Sequence, residues 1–419
     1  MLTGDETKNR RLLLLAIFLL SLNLRPVVAA IGSLAAPILG TTPIGSLGLG
    51  LLTTIPVFLI GLGAIYVRQI RAVLGERRDV AVGGLIIAAS CLLRYWFDGA
   101  AGLILTASGA GIGIAIIRAL TPSFAKRNYR AGIGRVIGVY STGIVVGGAV
   151  AAGVAAHLAS RLGWQGTLAA WSLPALSATV VWLLASRDAR SEGGIDMVAS
   201  VSASHSPHLW SNLRCWSLMI FFGVGTGAFM LAMAWIPPFY LGLQQPAERA
   251  GLLLSILTVV EAATALGVAA FVHHLPDRRG PLTFSLITVA TGFAVLTMSP
   301  IALAIPAMVM LGVGIGILFP LSIIVAIDHI DDPTIAGNFT AIVQGGGYIL
   351  ASFVPLIAGG FRDVFSDLTH VWTLMAIGSI VMIAVAARFS PDSYVRFRNA
   401  LHLRPAPRAA RRELERMRA

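Results

Sequence analysis

Apolar runs of about 20 residues recur along the whole chain, separated mostly by short polar stretches. Twelve of them cover approximately 12–38, 47–69, 79–97, 100–122, 132–157, 163–185, 213–240, 248–272, 281–299, 301–327, 336–360 and 370–389. Each can cross a hydrocarbon core about 30 Å thick as an α-helix. The pattern therefore predicts an all-α integral membrane protein with twelve transmembrane helices. The first run follows basic residues, as a secretory signal would, but it is too long for a signal's apolar region and reads as a retained helix.

Most connections are short, as in a compact bundle. The exception is SRDARSEGGIDMVASVSASHSPHLWSN (186–212), polar and serine-rich. It separates six runs from six and reads as a linker. The expected organisation is an N-terminus (1–11), a first six-helix bundle (12–185), the linker (186–212), a second bundle (213–390) and a basic tail (391–419).

Composition agrees with this picture. Charged residues make up 12% of the 419, about half the share in soluble globular proteins. The net charge of +12 would suggest nucleic acid in a soluble chain. Its distribution excludes that reading. With the N-terminus inside, 25 of the 31 lysines and arginines fall in inside segments, and only Arg94, Arg161, Arg249 and Arg362 fall outside. This bias places both termini on the cytoplasmic side of the membrane. The two cysteines, Cys91 and Cys215, lie in different runs and define neither a disulfide framework nor a metal site.

Three marks repeat at nearly one offset. GAGIGI (Gly109 to Ile114) returns as GVGIGI (Gly312 to Ile317). Glu76-Arg77-Arg78 returns as Asp277-Arg278-Arg279, and Ala131-Gly132 as Ala336-Gly337. The two halves therefore read as repeats in one orientation, six plus six around a central cavity, the architecture of the major facilitator superfamily.

The glycine-rich stretches lie inside spans, where small residues let helices approach closely. No Walker lysine and no strand-flanked GxGxxG is present, so no nucleotide site is expected. The acid–arginine–arginine clusters (Glu76, Arg77, Arg78, Asp277, Arg278, Arg279) suit a cytoplasmic gate, with the acid capping a helix N-terminus and the arginines bonding neighbouring helix ends. His273-His274 and Asp328-His329 lack metal-ligand spacing and read as interfacial caps. No metal and no cofactor is expected.

Charge within the spans carries the functional argument. In SLNLRPVVAA (Ser21 to Ala30), Arg25 lies 14 residues beyond Arg11, about 21 Å along a helix. That is beyond easy snorkelling reach. An unpaired arginine at such depth costs at least roughly 2.5–3.5 kcal/mol. Pro26 leaves the Leu22 carbonyl without its helical donor and disfavours the α region for Arg25, so a kink is expected. Two readings stay open: Arg25 binds an anionic substrate, or it pairs with a buried acid, Glu261 of span eight. Glu261 can also carry a proton. Arg118 in span four reads either as snorkelling or as a cavity charge, and Arg94, at the outer end of span three, as snorkelling. Asn23, Tyr140 and Gln344 are polar candidates for the cavity wall. Trp235 and Tyr240 read as belt aromatics at the membrane interface.

An ordered set of stretches resembles one group, the cyanate porter family of the major facilitator superfamily. They are NLRP (Asn23 to Pro26), LLTTIPV (Leu51 to Val57), AWIPPFY (Ala234 to Tyr240), DRR (Asp277 to Arg279), FPL (Phe319 to Leu321), AIDH (Ala326 to His329), IAG (Ile335 to Gly337), QGGGY (Gln344 to Tyr348) and RFSP (Arg388 to Pro391). AIDH and QGGGY resemble the cyanate branch, and GWQG (Gly163 to Gly166) the nitroimidazole branch. The resemblance implies ATP-independent secondary transport of a small anion such as cyanate, with export of nitroimidazole-like compounds as the alternative. It carries Asn23, Arg25 and Gln344 over as cavity residues, while Glu261 and Arg118 lie outside its pattern. The implied partners are a small, anionic molecule, the lipid bilayer and protons as coupling ion, with no nucleic acid and a monomeric working unit. An enzyme is excluded by the lack of any nucleophile–base pair or metal cluster at one depth.

Overall fold

A computed structural model describes residues 4–66, 76–97, 99–129, 133–187, 212–271, 275, 277–330 and 333–402. Every regular element among the described residues is an α-helix. Span one is divided into Gly4–Leu22, Pro26–Ser33 and Ala35–Thr41; span two is Gly45–Ile65, span three Glu76–Leu93 and span four Ala100–Asn128. Span five begins the element Ile133–Ala170, and span six ends in Ser172–Ala185. Spans seven to twelve are Leu213–Gly242, Ala247–Phe271, Arg279–Met298, Ala304–Asp328, Pro333–Phe365 and Thr369–Ala386, followed by the helix Pro391–His402. Most of the linker expected at 186–212 lies outside the described residues.

Ten stretches among the described residues are apolar and long enough to cross a membrane. One of them, Val136–Ala185, holds two spans. The chain turns between them at Gly163, whose φ of 70° suits glycine because any Cβ would be strained there. Span three completes the twelve: Glu76, Arg77, Arg78 and Asp79 at its start dilute an otherwise apolar helix. Twelve crossings return the chain to the end where it began, called the near end below; the opposite end is the far end.

The repeated glycines pack the fourth helix of each half on its second and third, with the neighbours exchanged between repeat-equivalent positions. Gly111 and Gly113 of span four fit against Pro56 of span two and Gly83 of span three. Gly316 and Gly314 of span ten fit against the Glu261 backbone of span eight and the Ser285 carbonyl of span nine. A side chain at any of these positions would drive neighbouring backbones apart. The halves meet mainly where span two packs on span eleven, span five on span eight, and span one on span seven. Gly50 lies against Pro355 and Leu356, Gly61 against Gly345, and Gly32 against the Met233 carbonyl.

Span one breaks as expected, by a different local geometry. Arg25 keeps helical angles, φ −108° and ψ −30°. The interruption falls just before it, where the N–H groups of Asn23 and Leu24 bond the Leu20 and Ser21 carbonyls at 3.1 and 3.2 Å. Pro26 then starts a new helix at its first position, where no N–H is needed. The Leu22 carbonyl faces Gly147 of span five, and Ser21 faces Gly143. The GxxxG of span five is thus the socket for the break.

Candidate functional site

Between the halves lies a cavity of about 40 Å³. A water needs roughly 10–15 Å³ on the same measure, so the space admits about three small groups. Its apolar wall includes Val57, Ile60, Phe229, Met233 and Phe319, and its polar wall Arg25, Arg118, Thr226, Glu261 and Tyr348.

Arg25 and Glu261 bridge the halves. The two terminal guanidinium nitrogens donate to the two carboxylate oxygens at 3.3 and 3.2 Å. The Arg25 side chain is 17% exposed and that of Glu261 7%. The guanidinium also lies 4.3 Å from the Phe229 ring centroid, a cation–π contact in a water-poor setting. Gly148 of span five runs beside the arginine's methylenes, and Gly316 holds the Glu261 backbone. Both charges are therefore carried by closely packed helix segments.

Arg118 is also a cavity residue, which settles its placement against snorkelling. It donates to the Tyr348 hydroxyl at 3.2 Å and sits 5.2 Å from that ring's centroid. Tyr140 lies beside the same guanidinium, which it can only accept from, and its buried O–H donates to no group. Thr226, which sequence reading missed, faces the cavity with its hydroxyl unpartnered. A helical threonine ordinarily bonds a carbonyl one turn back.

Three polar candidates do not line the cavity, and of these Tyr140 stays beside the Arg118 guanidinium without forming part of the wall. Asn23 turns away and donates its amide to the Leu19 and Pro174 carbonyls at 2.8 and 3.2 Å, tying the broken span to span six. Gln344 stands one turn before Tyr348, half-buried and outside the cavity lining.

Three readings of span-end residues are corrected. Arg94 does not snorkel: it is 1% exposed, with Nε donating to Thr106 Oγ1 at 3.3 Å and a terminal nitrogen 3.5 Å from the Val27 carbonyl. The last turn of span three faces spans one and four, so the arginine points inward. Trp235 and Tyr240 are not belt residues, being 0% and 1% exposed. They donate to the Pro355 and Pro300 carbonyls, both at 2.9 Å, and so stitch span seven to its neighbours.

The near-end clusters link helix ends within each half. Arg77 donates to Ser186 Oγ and the Leu183 carbonyl at 3.0 and 2.9 Å. Arg78 is exposed, and the Glu76 side chain lies outside the described residues. Arg278 pairs with Asp328 at 3.1 Å. Asp277 accepts from the Arg279 backbone N–H and pairs with its guanidinium at 2.6 Å. Those hydrogen bonds hold the Asp277 carboxyl below its usual range. His329, expected as an interfacial cap, is wholly buried: its Nε2 accepts from Arg214 Nε at 3.0 Å and its Nδ1 donates to the Val325 carbonyl. His273-His274 lie outside the described residues.

At the far end Asp363 of span eleven accepts from the Ser46 and Leu47 N–H groups at 3.3 and 3.0 Å. The carboxylate of one half thus caps the first turn of span two in the other. Ser255 to the Ala149 carbonyl (3.1 Å) and Thr54 to the Ser352 carbonyl (2.6 Å) add two further bonds between halves.

Two pseudo-symmetric six-helix halves, closing on a charged cavity at mid-span, define a membrane transporter rather than an enzyme. The model of the Major Facilitator Superfamily matches residues 13–355. The chain is 31% identical over 380 residues to the cyanate transport protein CynX of Escherichia coli strain K12, covering 90% of this chain and 97% of that protein. It is 26% identical to the 2-nitroimidazole transporter of the same strain, over 75% and 78% of the two chains. A solved bacterial homolog of the human lysosomal transporter Spinster, inward-facing and unoccupied, superposes with a TM-score of 0.72 over 95% of this chain and 99% of that one, at 14% identity. The chain belongs to the major facilitator superfamily and, within it, to the cyanate porter group.

Proposed function

We propose that this protein is a secondary active transporter that moves a small anion such as cyanate by alternating access. The observation that carries the reading is the Arg25–Glu261 pair, which joins the halves inside the cavity. A mobile anion competes with Glu261 for the guanidinium. When it wins, the carboxylate is released, loses its counter-charge and becomes a natural proton acceptor, which would couple anion to proton. A small cavity and a cationic surplus favour a compact anion over a larger neutral solute. The 31% identity to a cyanate transport protein points the same way. The positive-inside bias assigns the near end, with both termini, to the cytoplasm, and the working unit is one chain.

A second reading is export of small aromatic compounds. The Phe229, Met230, Met233 and Phe319 wall favours it, since methionine and aromatic side chains adapt to flat ligands. Purified protein in proteoliposomes separates the two. The anion reading expects saturable uptake of labelled cyanate above protein-free vesicles. Accumulation of 2-nitroimidazole with no cyanate flux would replace it by the second reading.

A further inference from the structure

The two cavity arginines are not equivalent. Arg25 is matched: a tethered carboxylate spans both its terminal nitrogens and an aromatic ring covers its face. Arg118 has no carboxylate within ion-pair distance among the described residues. Its company is two phenols. Tyr348 accepts one of its N–H groups at 3.2 Å, which leaves the Tyr348 proton to be donated elsewhere. The Tyr140 hydroxyl, beside the same guanidinium though not part of the cavity wall, is buried and donates to no group. Across the cavity the Thr226 hydroxyl is buried with no hydrogen-bond partner.

We propose that Arg118, with the hydroxyls of Tyr140 and Tyr348, is the seat that a small monovalent anion occupies first, before it reaches Arg25. The inference rests on the anion-carrier reading and adds where the anion enters. The seat offers donors and no carboxylate, the complement of an anion. Cavity charge fixes the valence. Arg25 and Arg118 together carry two positive charges and Glu261 one negative, so one monoanion brings the cavity to neutrality with the Arg25–Glu261 pair intact. A dianion would leave an uncompensated negative charge in a space where unmatched charge is costly. The volume sets the size: about 40 Å³ accommodates an ion of three or so heavy atoms. Occupation of this seat places the anion within the same cavity as Glu261, so repulsion between the two loosens the Arg25–Glu261 pair and prepares transfer to Arg25.

The test is ligand-induced thermal stabilisation of the purified protein, titrated with sodium cyanate and, separately, with sodium sulfate at constant ionic strength. Stabilisation by mass action reports affinity without requiring turnover. The expected result is stabilisation of the wild type by cyanate and not by sulfate. Arg118→Gln should lose it, and Tyr140→Phe, a conservative change that keeps the ring, should weaken cyanate affinity about tenfold. Arg118→Lys guards against misfolding, because it keeps the charge and loses only the fork geometry; it should bind more weakly than the wild type but still measurably. Wild-type affinity in both Arg118→Gln and Tyr140→Phe, with loss in Arg25→Gln, would overturn the entry seat and leave the carrier reading standing. A wild type stabilised by no small monoanion would overturn both.

Discussion

At the scale of single residues, what decides the site is the cost of unmatched charge. Arg25 could be identified from sequence because its depth and the following proline demand a partner, and Glu261 was the available acid near the middle of a span. The hydroxyls of Thr226 and Tyr140 gave no comparable signal. A helical threonine usually bonds a carbonyl one turn back, and only the assembled structure shows that Thr226 does not and that the Tyr140 proton is undonated. Asn23 misled in the opposite direction, since its polarity serves the break in span one and reaches span six. The Arg25–Glu261 pair should behave as a buried one. Glu261→Ala should destabilise the protein by up to about 3 kcal/mol in denaturant unfolding, because it strands a buried guanidinium. The Arg25→Ala, Glu261→Ala double variant should recover part of that loss, and strict additivity would show the pair to be uncoupled.

At the scale of helices, the spans and their order could be read from apolar run length alone. Helix interruptions were partly legible. Pro26 announced the break in span one, yet the tight turns at Asn23 and Leu24 and the helical angles of Arg25 follow from how the segment seats on span five. The socket is glycine for a steric reason. Gly147→Leu would push a side chain into the Leu22 carbonyl, and the expected outcome is loss of monodisperse, folded protein on size-exclusion chromatography. Gly378→Leu, at a glycine with open space around it, should leave the elution profile unchanged. Arg94, Trp235 and Tyr240 show the limit of reading depth from sequence: position near a span end does not say whether a side chain faces lipid or neighbouring helices.

Charge at the near end makes a pH prediction on the element scale. Arg279 holds the Asp277 carboxyl below its ordinary value of 3.8. A depressed carboxylate contributes stability that is present above its unfolded pKa and lost as pH falls through the folded one. Asp277→Asn should therefore lower the melting temperature by a small, constant amount between pH 5 and 8, with the difference closing below about pH 4. A difference that grows toward pH 8 would contradict that assignment.

At the scale of the whole molecule, the parallel repeat was legible from three short marks at nearly one offset, and in both halves the glycines of the first mark pack the fourth helix on the second and third. The far-end closure was not legible. Nothing in the sequence ties Asp363 to Ser46 and Leu47, because the contact exists only when the halves meet. Asp363→Asn keeps the shape and removes the charge that caps span two. Spin labels at Leu47 and Gly360 should then report a larger population of long distances than in the wild type, with the cavity residues untouched. An unchanged distance distribution would remove Asp363 from the closure.

These scales meet in one claim, that an anion crosses by taking Arg25 from Glu261. The most direct measurement is cyanate counterflow in proteoliposomes made with the wild type and with Arg25→Gln, each verified as folded and inserted at equal density. The account predicts saturable exchange by the wild type and exchange no faster than in protein-free vesicles for Arg25→Gln. Exchange by Arg25→Gln at the wild-type rate would contradict it.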